Sequence, residues 1–88
     1  MKIIWANQYK KDYKKMRLRG KDMGLLNRVV GELAQGEALA EKHCDHPLKG
    51  SLAKYRECHI EPNWLLLYKK SARALFLART GTHADLFE

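Results

Sequence analysis

Cysteine, proline and bulky aromatics are scarce in this 88-residue chain, which holds two Cys, two Pro, two Phe and two Trp. Two cysteines, Cys44 and Cys58, cannot build the multi-bridge framework of a small secreted domain, so they read as free thiols. No Cys-x-x-Cys pair occurs, and "HCDH" fits no zinc-module spacing. Cys58 and His59 are neighbours in a predicted strand, where they point to opposite faces and could hardly share one ion. No metal and no other cofactor is expected. There is no Gly-rich loop to cradle a phosphate, and neither Ser51, Ser71 nor the cysteines sit in a nucleophile signature. No apolar run is long enough to cross a membrane, and the first residues lack a signal peptide's apolar block and small-residue cleavage site. The reading is a cytoplasmic protein without a membrane partner.

Acidic residues are missing from one half more than the other. Residues 1–36 carry nine Lys and Arg against three Asp and Glu, whereas residues 37–88 carry eight against seven. The net charge of +7 is therefore concentrated in the first half, which suggests a polyanionic partner, with nucleic acid the first candidate. A solvated lysine-rich helix would give the same count. Hydrophobic residues at 45% and charged residues at 31% fit a globular chain, and its length fits one domain, 1–88, with a single modest core.

Residues 2–6 are β-prone and predict a first strand. Asn7 suits a helix N-cap, after which Tyr9, Tyr13 and Met16 recur on one helical face and Lys10, Lys11, Lys14, Lys15 and Arg17 on the other. Gly20 ends that helix. Asp22 can cap a second, whose stripe is Leu25, Leu26, Val29, Val30 and Leu33 and whose end is Gly36. Residues 37–50 read as a loop. Three strands are predicted at about 53–59, 64–69 and 74–80, the last two joined tightly through Ser71–Arg73, and "GTHADLF" reads as a turn and tail. The order β-α-α-β-β-β predicts an α+β fold, a helical hairpin on one face of a mostly antiparallel four-stranded sheet.

The stretch "YRECHIEPNWLLLYKK" puts His59, Glu61 and Asn63 at the lip of the core hairpin. His46, His59 and His83 all fall at element boundaries, and strand ends that share a sheet edge can gather such residues. Imidazole titrates nearest neutrality, so two of them can act as base and acid in one reaction. For His43 a surface or capping role is the simpler reading.

"DHPLKG", "YRECHIEPNWLLLY" and "RTGTHADLF", in that order, resemble the YafQ branch of the RelE/ParE toxin superfamily and cover residues 45–87 nearly continuously. The resemblance implies a RelE-like fold and the toxin half of a type II toxin–antitoxin pair. Its activity would be ribosome-dependent endoribonuclease cleavage of mRNA in the A site, without a metal. In that chemistry the ribose 2′-OH attacks the adjacent phosphate, leaving a 2′,3′-cyclic phosphate and a free 5′-OH. It also implies a DinJ-like antitoxin, a toxin that is monomeric alone and hetero-oligomeric with that partner, and active-site residues at His46, His59, Trp64, His83 and Phe87. The family aspartate before the tryptophan falls on Asn63, which can hydrogen-bond but cannot take up a proton near neutral pH.

Physically, His46 or His59 could remove the 2′-OH proton and His83 could protonate the leaving oxygen, the order not following from sequence. Arg56 and Arg79 could neutralise the transition state, and Phe87 and Trp64 could stack on a base. For Trp64 a core position is an equal alternative. Lys10, Lys11, Lys14 and Lys15 would contact ribosomal RNA. Two other readings remain open here: a non-catalytic, antitoxin-bound RNA-binding or corepressor module, and a ParE-like gyrase inhibitor, against which the histidines argue.

Overall fold

Five strands form one sheet in the order β1-β5-β4-β3-β2, with two helices laid across one face and a short third helix at its end. The computed structural model describes residues 1–87. The elements are β1 (Lys2–Trp5), α1 (Asn7–Leu18), α2 (Met23–Ala34), β2 (His46–Pro47), β3 (Arg56–Glu61), β4 (Trp64–Lys70), β5 (Ala74–Gly81) and α3 (His83–Phe87). Pairing is antiparallel throughout except for β1, which runs parallel to β5 with Ile3 beside Leu75.

The α+β class and the helical hairpin are as expected, and three details differ. The sheet has a fifth strand, because His46 and Pro47 pair with Glu57 and Arg56. Two residues carry no periodicity, and Pro47 is tolerated because this strand lies at the sheet's edge. β3 starts at Arg56 rather than near 53, since Gly50–Leu52 coils into a 3₁₀ turn that Tyr55 N–H closes on Leu52 C=O. The C-terminal segment is no tail: residues His83–Phe87 form α3.

Local chemistry explains the helix ends. Asp22 accepts from Gly24 N–H at 3.0 Å and caps α2, whereas the cap position of α1 is Ala6, one residue before the expected Asn7. Gly20 leaves α1 at φ +85°, a left-handed conformation that glycine adopts without penalty. Tyr9 and Met16 of α1 and Leu26, Val29, Val30 and Leu33 of α2 bury against Cys58, Ile60, Trp64, Leu66, Tyr68, Leu75 and Leu77 of the sheet. Truncating a fully buried member such as Leu66 to alanine costs about 2–5 kcal/mol. Trp64 has no exposed surface, and its Nε1–H donates to Thr80 Oγ1 at 2.9 Å, which in turn donates to Leu65 C=O at 2.7 Å. It is a core residue and offers no face to a base, so the stacking role considered from sequence is corrected.

Candidate active site

The helices cover one face of the sheet and leave the other for chemistry. Along β3 the pleat sends Cys58 and Ile60 into the core, so Glu57 and His59 must point to the open face. Register brings partners to them: His46 on β2 lies beside Glu57, and His59 lies beside Leu65, which pairs onward with Gly81 at the end of β5. One residue past Gly81, Thr82 begins the turn into α3 and its first residue, His83.

Sequence reasoning missed Glu57, the acidic centre of this group. It is 7% exposed, and its Oε1 lies 3.4 Å from His59 Nε2 and 3.5 Å from His46 Nε2. A carboxylate so nearly buried needs compensating charge, which two protonatable imidazoles can supply. Its only signal in the sequence is its period-2 spacing from His59. The His59 and His83 rings meet edge to face with centroids 5.9 Å apart, and the Phe87 ring stands 6.5 Å from His83, well exposed. Three of the four histidines therefore converge with one carboxylate. His43 stays outside, in keeping with its simpler reading: its Nδ1 lies 2.7 Å from His59 C=O, which can only accept, and so ties the preceding loop to β3.

Asn63 joins the group through a partner other than the hairpin histidine. Its Oδ1 accepts from the backbone N–H of His83 at 3.2 Å and from His83 Nδ1 at 2.8 Å. The backbone donor fixes which end of the amide faces α3, and the shared oxygen puts the hydrogen on Nδ1, leaving Nε2 for the substrate side.

The two arginines separate. Arg56 precedes Glu57, so its side chain leaves β3 on the opposite face from His59, where it donates to Asp45 Oδ1 at 3.3 Å beside the Tyr68 hydroxyl. It fastens the loop before β3, and the phosphate-binding role expected for it is corrected. Arg79 pairs with Leu67 in register, two strands from Glu57, and is aimed by Asp12, which receives its Nε at 2.7 Å and its Nη2 at 3.3 Å. An apolar hollow of about 290 Å³ bounded by Tyr55, Leu67, Phe76 and Arg79 continues the same face.

The chemistry open to this arrangement is proton transfer between imidazoles, with the Arg79 guanidinium fixed by Asp12 two strands away. A metal is a second use of the same atoms: Glu57, His59 and His83 each offer one ligand atom, all within 4.8 Å of one another. That donor set suits a borderline divalent cation, where the sequence weighed only cysteine-containing sets. Lys10, Lys11 and Lys14 are exposed on α1, while Lys15 also reaches Asp85 of α3, Nζ to Oδ1 at 3.6 Å. Among the described residues no helix is long and apolar enough to cross a membrane.

The chain is similar to known proteins over nearly its whole length. Residues 1–88 match the family described as the bacterial toxin of type II toxin–antitoxin system, YafQ. The mRNA interferase toxin YafQ of Escherichia coli K12 is 43% identical over 86 residues, covering 97% of this chain and 94% of the relative. The toxin in the crystal structure of the E. coli DinJ–YafQ complex superposes with TM-score 0.92 at 40% identity, over 98% and 97% of the two chains. A metal-bound toxin from Helicobacter pylori superposes equally well, TM-score 0.92 at 44% identity over 99% of each chain.

Proposed function

The chain belongs to the YafQ family of type II toxin–antitoxin toxins, and from this premise we propose how its open face cuts RNA. As a member it is an mRNA interferase, an endoribonuclease held in a hetero-oligomer by an antitoxin. We read the whole of residues 1–88 as one domain, working in the cytoplasm, monomeric when free of its antitoxin and dependent on the ribosome for presentation of the mRNA.

The observation that carries the reading is Glu57 held between His46 and His59 with His83 facing His59 across the site. His59, backed by the Glu57 carboxylate, takes the proton of the ribose 2′-OH as that oxygen bonds to phosphorus. The bond from phosphorus to the 5′-oxygen breaks, and His83 delivers a proton to the leaving oxygen. The products are a 2′,3′-cyclic phosphate and a 5′-OH, with no water consumed and no metal required. Arg79 neutralises charge on the phosphorane-like transition state, where a fixed cation acts most strongly, and His46 hydrogen-bonds to the same phosphate. Phe87 offers a stacking surface for a base.

In vitro translation followed by primer extension on the mRNA tests this. Cuts at discrete codons that need ribosomes, persist when the toxin is stripped of transition metals before the assay and fall about 100-fold or more in His83→Ala support it. Cutting that is lost on such stripping and restored by an added divalent transition metal overturns the metal-free step. Translation arrest without cuts indicates a binding module instead, and gyrase inhibition without either indicates the ParE-like alternative.

A further inference from the structure

α3 carries His83 and Phe87, yet it has only five residues and buries none of them. Packing alone therefore does not fix it, with Leu86 only half-buried, and an isolated helix of this length has no stability of its own. Its position rests on polar restraints, and most converge on Asp85.

The Asp85 carboxylate accepts both ends of the Arg19 guanidinium, Nη1 to Oδ2 at 2.7 Å and Nη2 to Oδ1 at 3.1 Å. It also accepts from Thr82 N–H at 2.9 Å, while Asp85 N–H donates to Thr82 Oγ1 at 3.2 Å, a reciprocal capping box on the first turn of α3. Lys15 adds a weaker contact at 3.6 Å. The fork is bidentate, the arrangement with the greatest geometric specificity for a carboxylate. Arg19 comes from the C-terminal end of α1, which is locked to the sheet through buried Tyr9, Asp12 and Met16. Gly81 leaves the room required: a Cβ there would stand 2.9 Å from Asp85 Cβ and 3.0 Å from its Oδ2.

We infer that Arg19 and Asp85 are positioning residues for the reaction: they form a clamp that ties α3 to α1 and so holds the His83 ring against His59 and the RNA. The inference rests on the proposed role of His83 as acid. Neither clamp residue touches the reacting atoms. The Arg19 hydrogen bonds, and then the Thr82 N–H, hold the Asp85 carboxyl well below the usual carboxylate range, so it carries the charge that Arg19 pairs with.

The test measures single-turnover cleavage on programmed ribosomes together with the NMR contacts of the His83 ring. Asp85→Asn keeps an acceptor for Thr82 N–H and loses the charge that holds Arg19; Arg19→Ala removes the fork. Both should lower kcat by about 10- to 100-fold with little change in KM, the scale of a misplaced catalytic group. Both should weaken the His83–His59 ring contact and leave antitoxin binding and Tm nearly unchanged. Arg19→Lys, which keeps the charge, should recover part of the activity. In a His83→Ala background Arg19→Ala should cost nothing further. Full activity of Arg19→Ala with an unmoved His83 ring overturns the clamp while leaving the acid assignment intact. A displaced ring in Arg19→Ala with cleavage unaffected by His83→Ala overturns the acid assignment and the catalytic role of the clamp with it, although the ion pair itself stands. A Tm drop that accounts for the whole defect in both variants, with no recovery in Arg19→Lys, overturns positioning in favour of plain stability.

Discussion

Glu57 Oε1 stands between two imidazoles, 3.4 Å from His59 Nε2 and 3.5 Å from His46 Nε2, with 7% of the residue exposed. This carboxylate brings a negative group into the site. Glu57→Gln preserves shape and removes that charge. Cleavage should fall by about 100-fold or more, the usual share of a general acid–base group, while antitoxin binding persists. A primer-extension time course at matched ribosome concentration reads the rate. An unchanged rate would show that the two histidines work without a charged neighbour.

Asp12 aims Arg79 from behind the sheet. It is 7% exposed and accepts from Arg79 Nε, Arg79 Nη2, Thr80 N–H and Gln8 Nε2, so four donors depend on one side chain. Asp12→Ala leaves the Thr80 N–H without its acceptor and frees the guanidinium. Stability should drop by about 1–3 kcal/mol in urea unfolding, the cost of hydrogen bonds to a charged group with part of Arg79 already in water. Cleavage should drop further than stability explains, with Arg79→Ala giving the same rate defect and a smaller decrease in stability.

We propose the basic face of α1 as a separate binding element. Lys10, Lys11 and Lys14 are exposed on α1 and belong to no contact of the Glu57–histidine group, so they should contact ribosomal RNA phosphates rather than the cleaved codon. Neutralising two of them should reduce the log–log salt slope of ribosome association by about one for each phosphate no longer paired, and leave codon choice unaltered. Lys15 should matter less to the slope because Asp85 already engages it. A changed codon preference at constant slope would refute the assignment.

Alkaline pH should unfold the protein early. Burial raises Tyr9, Tyr68 and Cys58 well above their ordinary values of 10.0, 10.0 and 9.0, with the Tyr68 hydrogen bond to Asp45 adding to burial. Native groups then keep protons that the unfolded chain releases, so stability is intact below about pH 8.5 and falls as pH rises through the unfolded values. Thermal melts from pH 7 to 11 should show that decline. Cys58→Ala should remove its onset near pH 9 and leave the steeper tyrosine part. A flat profile to pH 11 would mean that these groups ionise without unfolding.

The parts of this molecule legible in its sequence are those written in local periodicity. The Leu26, Val29, Val30 and Leu33 stripe, the Asp22 cap and the apolar run from Trp64 to Tyr68 each announce their element because the signal repeats within a few residues. β2 is illegible there, since two residues carry no period and it depends on Glu57 and Arg56, while α3 has five residues, no period, and only the Thr82–Asp85 capping box as a local mark beside the distant Arg19. The same limit governs the site. Histidines at element ends can be noticed one by one. That His46 and His59 share Glu57, that Arg79 rather than Arg56 faces the open side, and that Asn63 serves His83 all depend on strand register, which a shift of one residue would reverse.

Asn63 offers the sharpest test, because one oxygen there does two tasks for His83: it accepts the backbone N–H at 3.2 Å and the ring Nδ1 at 2.8 Å. An aspartate in the same place accepts both donors with the same shape, so Asn63→Asp should leave the fold and α3 where they are. What it adds is a negative charge against Nδ1, which stabilises the imidazolium form and with it the supply of acid for the leaving 5′-oxygen. Cleavage should rise by about 10-fold or more, near the low end of a general acid–base contribution. The alkaline limb of the pH–rate profile should also move upward, since the imidazolium then keeps its proton to higher pH. Stability should change little, as Asn63 is exposed at the β3–β4 turn. A side-by-side time course of the two proteins on the same programmed ribosomes measures the first effect, and repeating it between pH 6 and 9 measures the second. If the aspartate form is no faster and its profile does not move, the charge at this turn is irrelevant, and Glu57 with the three histidines carries the proton transfers alone.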